Sequence, residues 1–211
     1  MPSDLIEENS LVGTIPSTIS ALKSLTFLSL ASNSLNGIIP SSVGALTKLD
    51  FLDIEENSFV GTIPSTISAL KSLTVLSVAN NTLTGTIPSA IGGLPKLTLI
   101  FLSSNSLTGT IPSAIGGLPM LEAIVLSSNS LTGTIPSTMS ALTSLEYVFF
   151  QNNYLTMGTA TTVPTSTFSS FTLSKNISLS DNCLAFDTVS PYRHVTATHC
   201  RPTSKYQLSV V

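Results

Sequence analysis

Asparagine recurs at Asn9, Asn33, Asn57, Asn81, Asn105, Asn129 and Asn153, a constant step of twenty-four. Four residues beyond each of the first six stands a glycine, at Gly13, Gly37, Gly61, Gly85, Gly109 and Gly133. Proline keeps the same step at Pro16, Pro40, Pro64, Pro88, Pro112 and Pro136. A period this strict rules out an ordinary globular layout, because each unit is too short to bury its own apolar face. Units of this kind are stable only when stacked, with neighbours covering one another.

The unit Leu94 to Gly117, LPKLTLIFLSSNSLTGTIPSAIGG, shows how one coil is built. Leu97, Ile100, Leu102 and Leu107 do not fall on one helical stripe. Ile100 and Leu102, two apart, share one side of a short extended segment. Leu94, Leu97, Leu107, Ile111 and Ile115 turn inward around the rest of the loop. A buried turn leaves backbone N–H and C=O groups that need partners, and a ladder of asparagines can supply them. Glycine permits the tight backbone that follows, and proline, lacking a donor, suits a position outside the ladder.

Composition narrows the function. Hydrophobic residues make up 42% of the chain and suffice for a continuous core, whereas charged residues make up only 9%, so serine and threonine must dominate the surface. The net charge is −3 with eight unclustered Lys and Arg, which leaves no electrostatic footprint for nucleic acid or anionic lipid. No apolar run reaches the ~18 residues of a membrane span. The opening MPSDLIEENS has no basic region followed by an apolar one, so no secretory signal peptide is visible in this segment. The expectation is either an intracellular protein or a piece of a longer precursor.

The string LxxLxxLxLxxNxLxGxIPxxI, present as LPKLTLIFLSSNSLTGTIPSAI from Leu94 to Ile115, closely resembles the plant-type leucine-rich repeat. The resemblance covers residues 1 to about 155 in six near-identical copies. It implies an α/β solenoid, a right-handed superhelix with a parallel β-sheet on the concave face and short 3-10 or irregular segments on the convex face. Such proteins include ectodomains of receptor-like kinases and polygalacturonase-inhibiting proteins, so it also implies extracellular or cell-surface recognition of a protein, peptide or glycan.

Both ends depart from the pattern. The first coil begins inside a repeat at SDLIEEN, without the cysteine-containing cap usual in such ectodomains. After Asn153 the coil is irregular, and the next repeat-like asparagine, Asn182, follows by twenty-nine positions instead of twenty-four. Ile177 to Leu179 is expected to form a last strand. The division is therefore a solenoid of about seven coils over 1–182 and a C-terminal cap and tail over 183–211. The ending RPTSKYQLSVV is expected to be where a juxtamembrane segment was cut.

Two surfaces are candidates for binding. On the concave strands, one column holds Phe27, Phe51, Val75, Leu99, Ala123 and Tyr147, and another holds Ser29, Asp53, Ser77, Phe101, Val125 and Phe149. Exposed apolar patches invite a partner. The richest part is C-terminal, comprising Phe101, Val125, Tyr147 and Phe149 with Glu122, Glu146 and Gln151 alongside; the alternative is that these aromatics only pack across strands. Beyond each asparagine, alternate residues form ranks of hydroxyls: Thr82, Thr84, Thr86; Ser106, Thr108, Thr110; Ser130, Thr132, Thr134. Earlier coils degrade the pattern, through Ser58, Val60, Thr62 and then Ser34, Asn36, Ile38. Regular threonine arrays resemble those of ice-binding proteins, some of which look like leucine-rich repeats, so an ice-binding or matrix role is the alternative function.

Other chemistry finds little support. Asp50, Asp53, Glu55 and Glu56 form an acidic cluster suited to a solvated face, a basic ligand or a divalent cation. Glu122 and Glu146 stand one strand apart, near the ~5 Å spacing of a retaining glycosidase, yet an open sheet encloses nothing between them. His194 and His199 lie in the tail without a nucleophile motif. The expectation is a protein that is not an enzyme and has no cofactor. Cys183 and Cys200 match no familiar zinc spacing and are expected to form a disulfide, a loop of about 17 residues worth ~3 kcal/mol. Asn80 and Asn176 head the two N-glycosylation sequons.

Overall fold

The computed structural model describes residues 9–156 and the strand Asn176–Ser178. Each coil contributes one three-residue strand to a parallel seven-stranded sheet. In chain order these strands are β2 (Phe27–Ser29), β4 (Phe51–Asp53), β6 (Val75–Ser77), β7 (Leu99–Phe101), β8 (Ala123–Val125), β10 (Tyr147–Phe149) and β12 (Asn176–Ser178). From β2 to β10 the register advances by one coil, so Phe27 lies opposite Phe51 and Leu99 opposite Ala123. The last strand begins one residue earlier than its apolar pattern suggests and pairs Tyr147 with Asn176. This longer final step equals the irregular step between Asn153 and Asn182 in the sequence.

On the opposite side of each coil the chain makes a five-residue 3-10 turn, as at Ser113–Gly117, always entered through the repeat proline in extended conformation. No α-helix occurs among the described residues, and none of their helical segments is long and apolar enough to cross a membrane. Successive turns approach one another closely through their backbones. A methyl group at Gly92 would stand 2.1 Å from the Ala114 carbonyl oxygen of the next coil, which is why this coil carries no side chain there.

The core is one continuous apolar column. Leu94, Leu97, Ile100, Leu102 and Leu107 are all 0% exposed, as the inward reading of that coil requires. The asparagine ladder runs beside it. The Asn129 carboxamide oxygen accepts from Leu107 N–H of the preceding coil at 3.0 Å. Its nitrogen donates to Leu102 O at 3.0 Å, Leu126 O at 3.1 Å and Ser127 O at 3.3 Å. Asn57, Asn81, Asn105 and Asn153 repeat this set with their own coils.

The ladder has a consequence that composition conceals. The residue before each asparagine, at Ser32, Glu56, Asn80, Ser104, Ser128 and Asn152, is left-handed with φ between 51° and 57° although none is glycine. The asparagine carboxamide bonds the carbonyls two and three residues back, bracketing that residue and holding the turn. The repeat glycine adds a second left-handed position: Gly109 has φ +74°, and a β-carbon there would meet the Thr86 methyl at 2.9 Å.

Candidate recognition surfaces

The long sheet places the expected aromatic residues together. Phe101, Val125 and Phe149 lie directly opposite one another on β7, β8 and β10, each half-buried, and Tyr147 on β10 is 42% exposed. Glu122 and Glu146 are exposed at the entries to β8 and β10, where Glu146 N–H donates to Glu122 O at 2.7 Å. Gln151, two residues past β10, is half-buried, and its side-chain oxygen is buried without a hydrogen-bond partner among the described residues.

The richest aromatic contact on the sheet nevertheless lies at its other end. Phe27 and Phe51 stack with ring centroids 4.4 Å apart and planes 6° from parallel. Phe27 is 40% exposed. The signal was in the sequence, since two phenylalanines one repeat apart occupy the same strand position and must become neighbours. Beyond them the apolar column continues through half-buried Val75 and Leu99, then closes at buried Ala123. There the apolar surface shifts two residues along the strands, to Phe101, Val125 and Phe149. Side chains two residues apart emerge on the same face, so the result is an oblique apolar track across the sheet.

The acidic coil is organised by hydrogen bonds within the coil and to its two neighbours. Ser77 Oγ donates to Glu55 Oε2 at 2.8 Å, Ser32 Oγ to Glu56 Oε2 at 2.8 Å, and the Glu55 N–H to Asp53 Oδ1 at 3.0 Å. Among the described residues no three His, Cys, Asp or Glu side chains converge as a metal site.

The hydroxyl ranks lie on a second surface with its own pairing. The extended segments after the asparagines form parallel strands at β1 (Val12–Gly13), β3 (Ser34–Ile38) and β5 (Ser58–Val60), with β9 (Thr132–Gly133) and β11 (Tyr154–Leu155) paired farther along. Single bridges, Thr86 to Thr108 and Thr110 to Thr132, continue the pattern between them. Here Thr110 pairs with Thr132 and not with its repeat equivalent, Thr134, whereas in the long sheet Leu99 pairs with its equivalent, Ala123. Neighbouring flank segments thus slide by two positions, as Val12 opposite Ser34 and Asn36 opposite Ser58 also show. Equivalent threonines therefore run obliquely and do not stand directly opposite.

Thr82, Thr84, Thr86, Thr108, Thr110, Thr132 and Thr134 are all exposed. Their hydroxyls and methyls are oriented by the backbone: Thr84, Thr108 and Thr132 Oγ1 donate to Gly61, Gly85 and Gly109 O at 3.2, 3.2 and 3.3 Å. The Thr62, Thr86 and Thr110 methyls face Gly85, Gly109 and Gly133 of the following coil. Val12, Ile38 and Val60 interrupt the hydroxyls at the N-terminal end and are 78%, 59% and 45% exposed.

Asn80 is exposed on its left-handed turn, and the sequon threonine, Thr82, donates its hydroxyl to Phe59 O at 2.9 Å. Asn176 opens β12. Cys183 and Cys200 lie outside the described residues.

Comparison with known proteins agrees with this architecture. Leucine-rich-repeat models match residues 24–46, 52–107 and 101–155. A search of curated proteins gave no match. Among solved structures, the Arabidopsis thaliana receptor kinase GASSHO1/SCHENGEN3 ectodomain, in complex with CASPARIAN STRIP INTEGRITY FACTOR 2, is 38% identical, with TM-score 0.70 over 71% of this chain and 18% of its own. The Arabidopsis receptor kinase HAESA, in complex with a peptide hormone and a co-receptor, is 31% identical, with TM-score 0.80 over 86% of this chain and 29% of its own. A plant ice-binding protein is 27% identical, with TM-score 0.61 over 72% of this chain and 65% of its own. The chain spans less than a third of the two receptor ectodomains. Repeat spacing, asparagine ladder, paired parallel surfaces and these matches together place the chain in the leucine-rich-repeat family, in its plant-type form.

Proposed function

We propose that this chain is an extracellular or cell-surface recognition module that binds a protein or peptide partner, or a glycan, through its concave sheet, and that it is not an enzyme. One observation carries the reading: Phe101, Val125 and Phe149 form a half-exposed apolar row on the open face of a rigid sheet, flanked by exposed Tyr147, Glu122 and Glu146. Large apolar side chains kept at the surface of a well-packed solenoid are the usual mark of an interface. The similar receptor kinase HAESA was solved with a peptide hormone, which supports a peptide as the partner class. On this reading Asn80 and Asn176 are the candidate glycan acceptors, and a Cys183–Cys200 disulfide pins the cap of residues 183–211 onto the solenoid of 1–182.

Binding partners are to be captured from extracellular extracts with the wild-type chain and with Phe101→Ala, Tyr147→Ala and Phe149→Ala. Loss of the captured partner in these variants, with unchanged circular dichroism, is expected. Retention by all three rules out the concave face.

A second reading is supported by the threonine surface, whose hydroxyls and methyls are fixed by the glycine of the adjacent coil. An ordered hydroxyl array is suited to ice or to a repetitive matrix, and a similar structure is a plant ice-binding protein. Thermal hysteresis in the wild type that disappears in Thr108→Leu and Thr132→Leu supports it, and absence of hysteresis removes ice as the ligand.

A further inference from the structure

The charges of the described solenoid differ in their distance from the strands of the long sheet. Asp53 lies on β4, Asp50, Glu122 and Glu146 immediately precede β4, β8 and β10, and Glu55 and Glu56 follow β4 by two and three residues. The basic residues, Lys23, Lys48, Lys71 and Lys96, stand three or four residues before the next strand. Lys23 Nζ and Lys71 Nζ reach the ends of 3-10 turns in the following coil, donating to Ala45 O at 3.5 Å and Gly93 O at 2.7 Å. No strand of the long sheet carries a cation among the described residues.

The carboxylates form two groups separated along the sheet. One group, Asp50, Asp53, Glu55 and Glu56, surrounds β4 beside the Phe27–Phe51 stack. The other, Glu122 and Glu146, leads into β8 and β10 beside Phe101, Val125 and Phe149. The apolar track, through Val75 and Leu99, connects them.

We infer that the concave face selects an extended cationic peptide, with apolar side chains seated on the oblique track and one basic residue at each carboxylate group. The inference rests on the concave-face reading above and adds the partner's chemistry and spacing. From β2 to β10 there are five strand steps, which at ~4.8 Å each give about 24 Å, the length of roughly seven extended residues at ~3.3 Å each. The carboxylate groups are three to four steps apart, about 14–19 Å. Alternate side chains of an extended ligand face the sheet, so its two basic residues stand about four or about six positions apart and its apolar residues fall on Val75, Leu99 and Phe101 between the charges. Complementary charge of this kind sets partner choice and association rate more than total affinity.

The test uses fluorescence polarisation with three labelled peptides. They share leucines at alternate positions and differ at two positions of that same alternation, about six apart, which are lysine, serine or glutamate. Each exposed charge pair contributes up to about fivefold, so the lysine peptide is expected to bind on the order of tenfold more tightly than the serine peptide at low salt. The glutamate peptide is expected to bind most weakly, and the gap to narrow at high salt. In the double variant Glu122→Lys, Glu146→Lys the order is expected to compress or reverse, while Asn36→Glu, on the exposed flank, leaves it unchanged. Equal binding of the three peptides that is still lost in Phe101→Ala overturns the charge selection and leaves concave-face recognition intact. No binding of any peptide overturns the peptide inference, and binding that is indifferent to both sets of substitutions overturns both.

Discussion

Replacing Asn129 by alanine tests whether the asparagine ladder holds the coils together. Asn129 is 7% exposed, and its carboxamide serves Leu107 N–H in the preceding coil together with the carbonyls of Leu102, Leu126 and Ser127. Alanine leaves the Leu107 amide without a partner in a region where Leu107 and Leu126 are 0% exposed. The three carbonyls keep second donors, Asn105 Nδ2 for Leu102, Asn153 Nδ2 for Leu126 and the Ser104 N–H for Ser127. One unsatisfied buried amide costs about 1–3 kcal/mol. With an m value of about 2–3 kcal/mol/M in urea, the midpoint is expected to fall by roughly 0.3–1.5 M. Urea titration followed by far-UV circular dichroism measures it. Asn129→Asp keeps the acceptor for Leu107 but turns a carboxylate toward three carbonyl oxygens, and is expected to be at least as damaging as alanine. Asn36→Ala, on the exposed flank, is expected to change stability by less than about 0.5 kcal/mol. If Asn129→Ala shifts the midpoint no more than Asn36→Ala, the ladder is not what satisfies the inter-coil backbone and the reasoning fails.

Three further outcomes follow from local geometry. Gly92→Ala is expected to lower the thermal midpoint, because its methyl would stand 2.1 Å from Ala114 O, whereas Gly93→Ala, whose methyl meets only Lys71 Nζ at 3.6 Å, is expected to leave it unchanged or raise it slightly; equal effects would show that the coils are not tightly packed there. Ser104→Gly is expected to stabilise or be neutral and Ser104→Val to destabilise by about 1–3 kcal/mol, since φ is 54° and β-branched residues tolerate that region poorly; calorimetry of the two variants decides it. A double-mutant cycle on Phe27 and Phe51 is expected to give a coupling of about 0.5–1.5 kcal/mol from the stacked rings, and zero coupling would mean that the stack adds nothing beyond burial.

Much of the fold was legible because the repeat overdetermines it. The constant recurrence of Asn, Gly and Pro requires equivalent residues to become neighbours, which sets the register of the long sheet from β2 to β10 and its columns. Inward leucines and isoleucines were readable because every coil repeats the same choice. The concave columns followed from strand alternation, so Phe101, Val125 and Phe149 were identifiable as a row before any geometry.

What required the folded structure were relations that depend on how far each coil slides and turns. Hydroxyl ranks in the sequence imply threonines standing opposite their equivalents, yet the flank pairing displaces them by two positions, because the flank and the long sheet cross each coil at different inclinations. The left-handed residue before each asparagine carries no glycine signature, since its conformation is imposed by the carboxamide that follows it. Sequence alone thus determined that the chain stacks as coils and which side chains point inward. Tertiary packing decided which surface residues are neighbours, because that depends on the register between coils, and the repeat sets this register directly only in the long sheet.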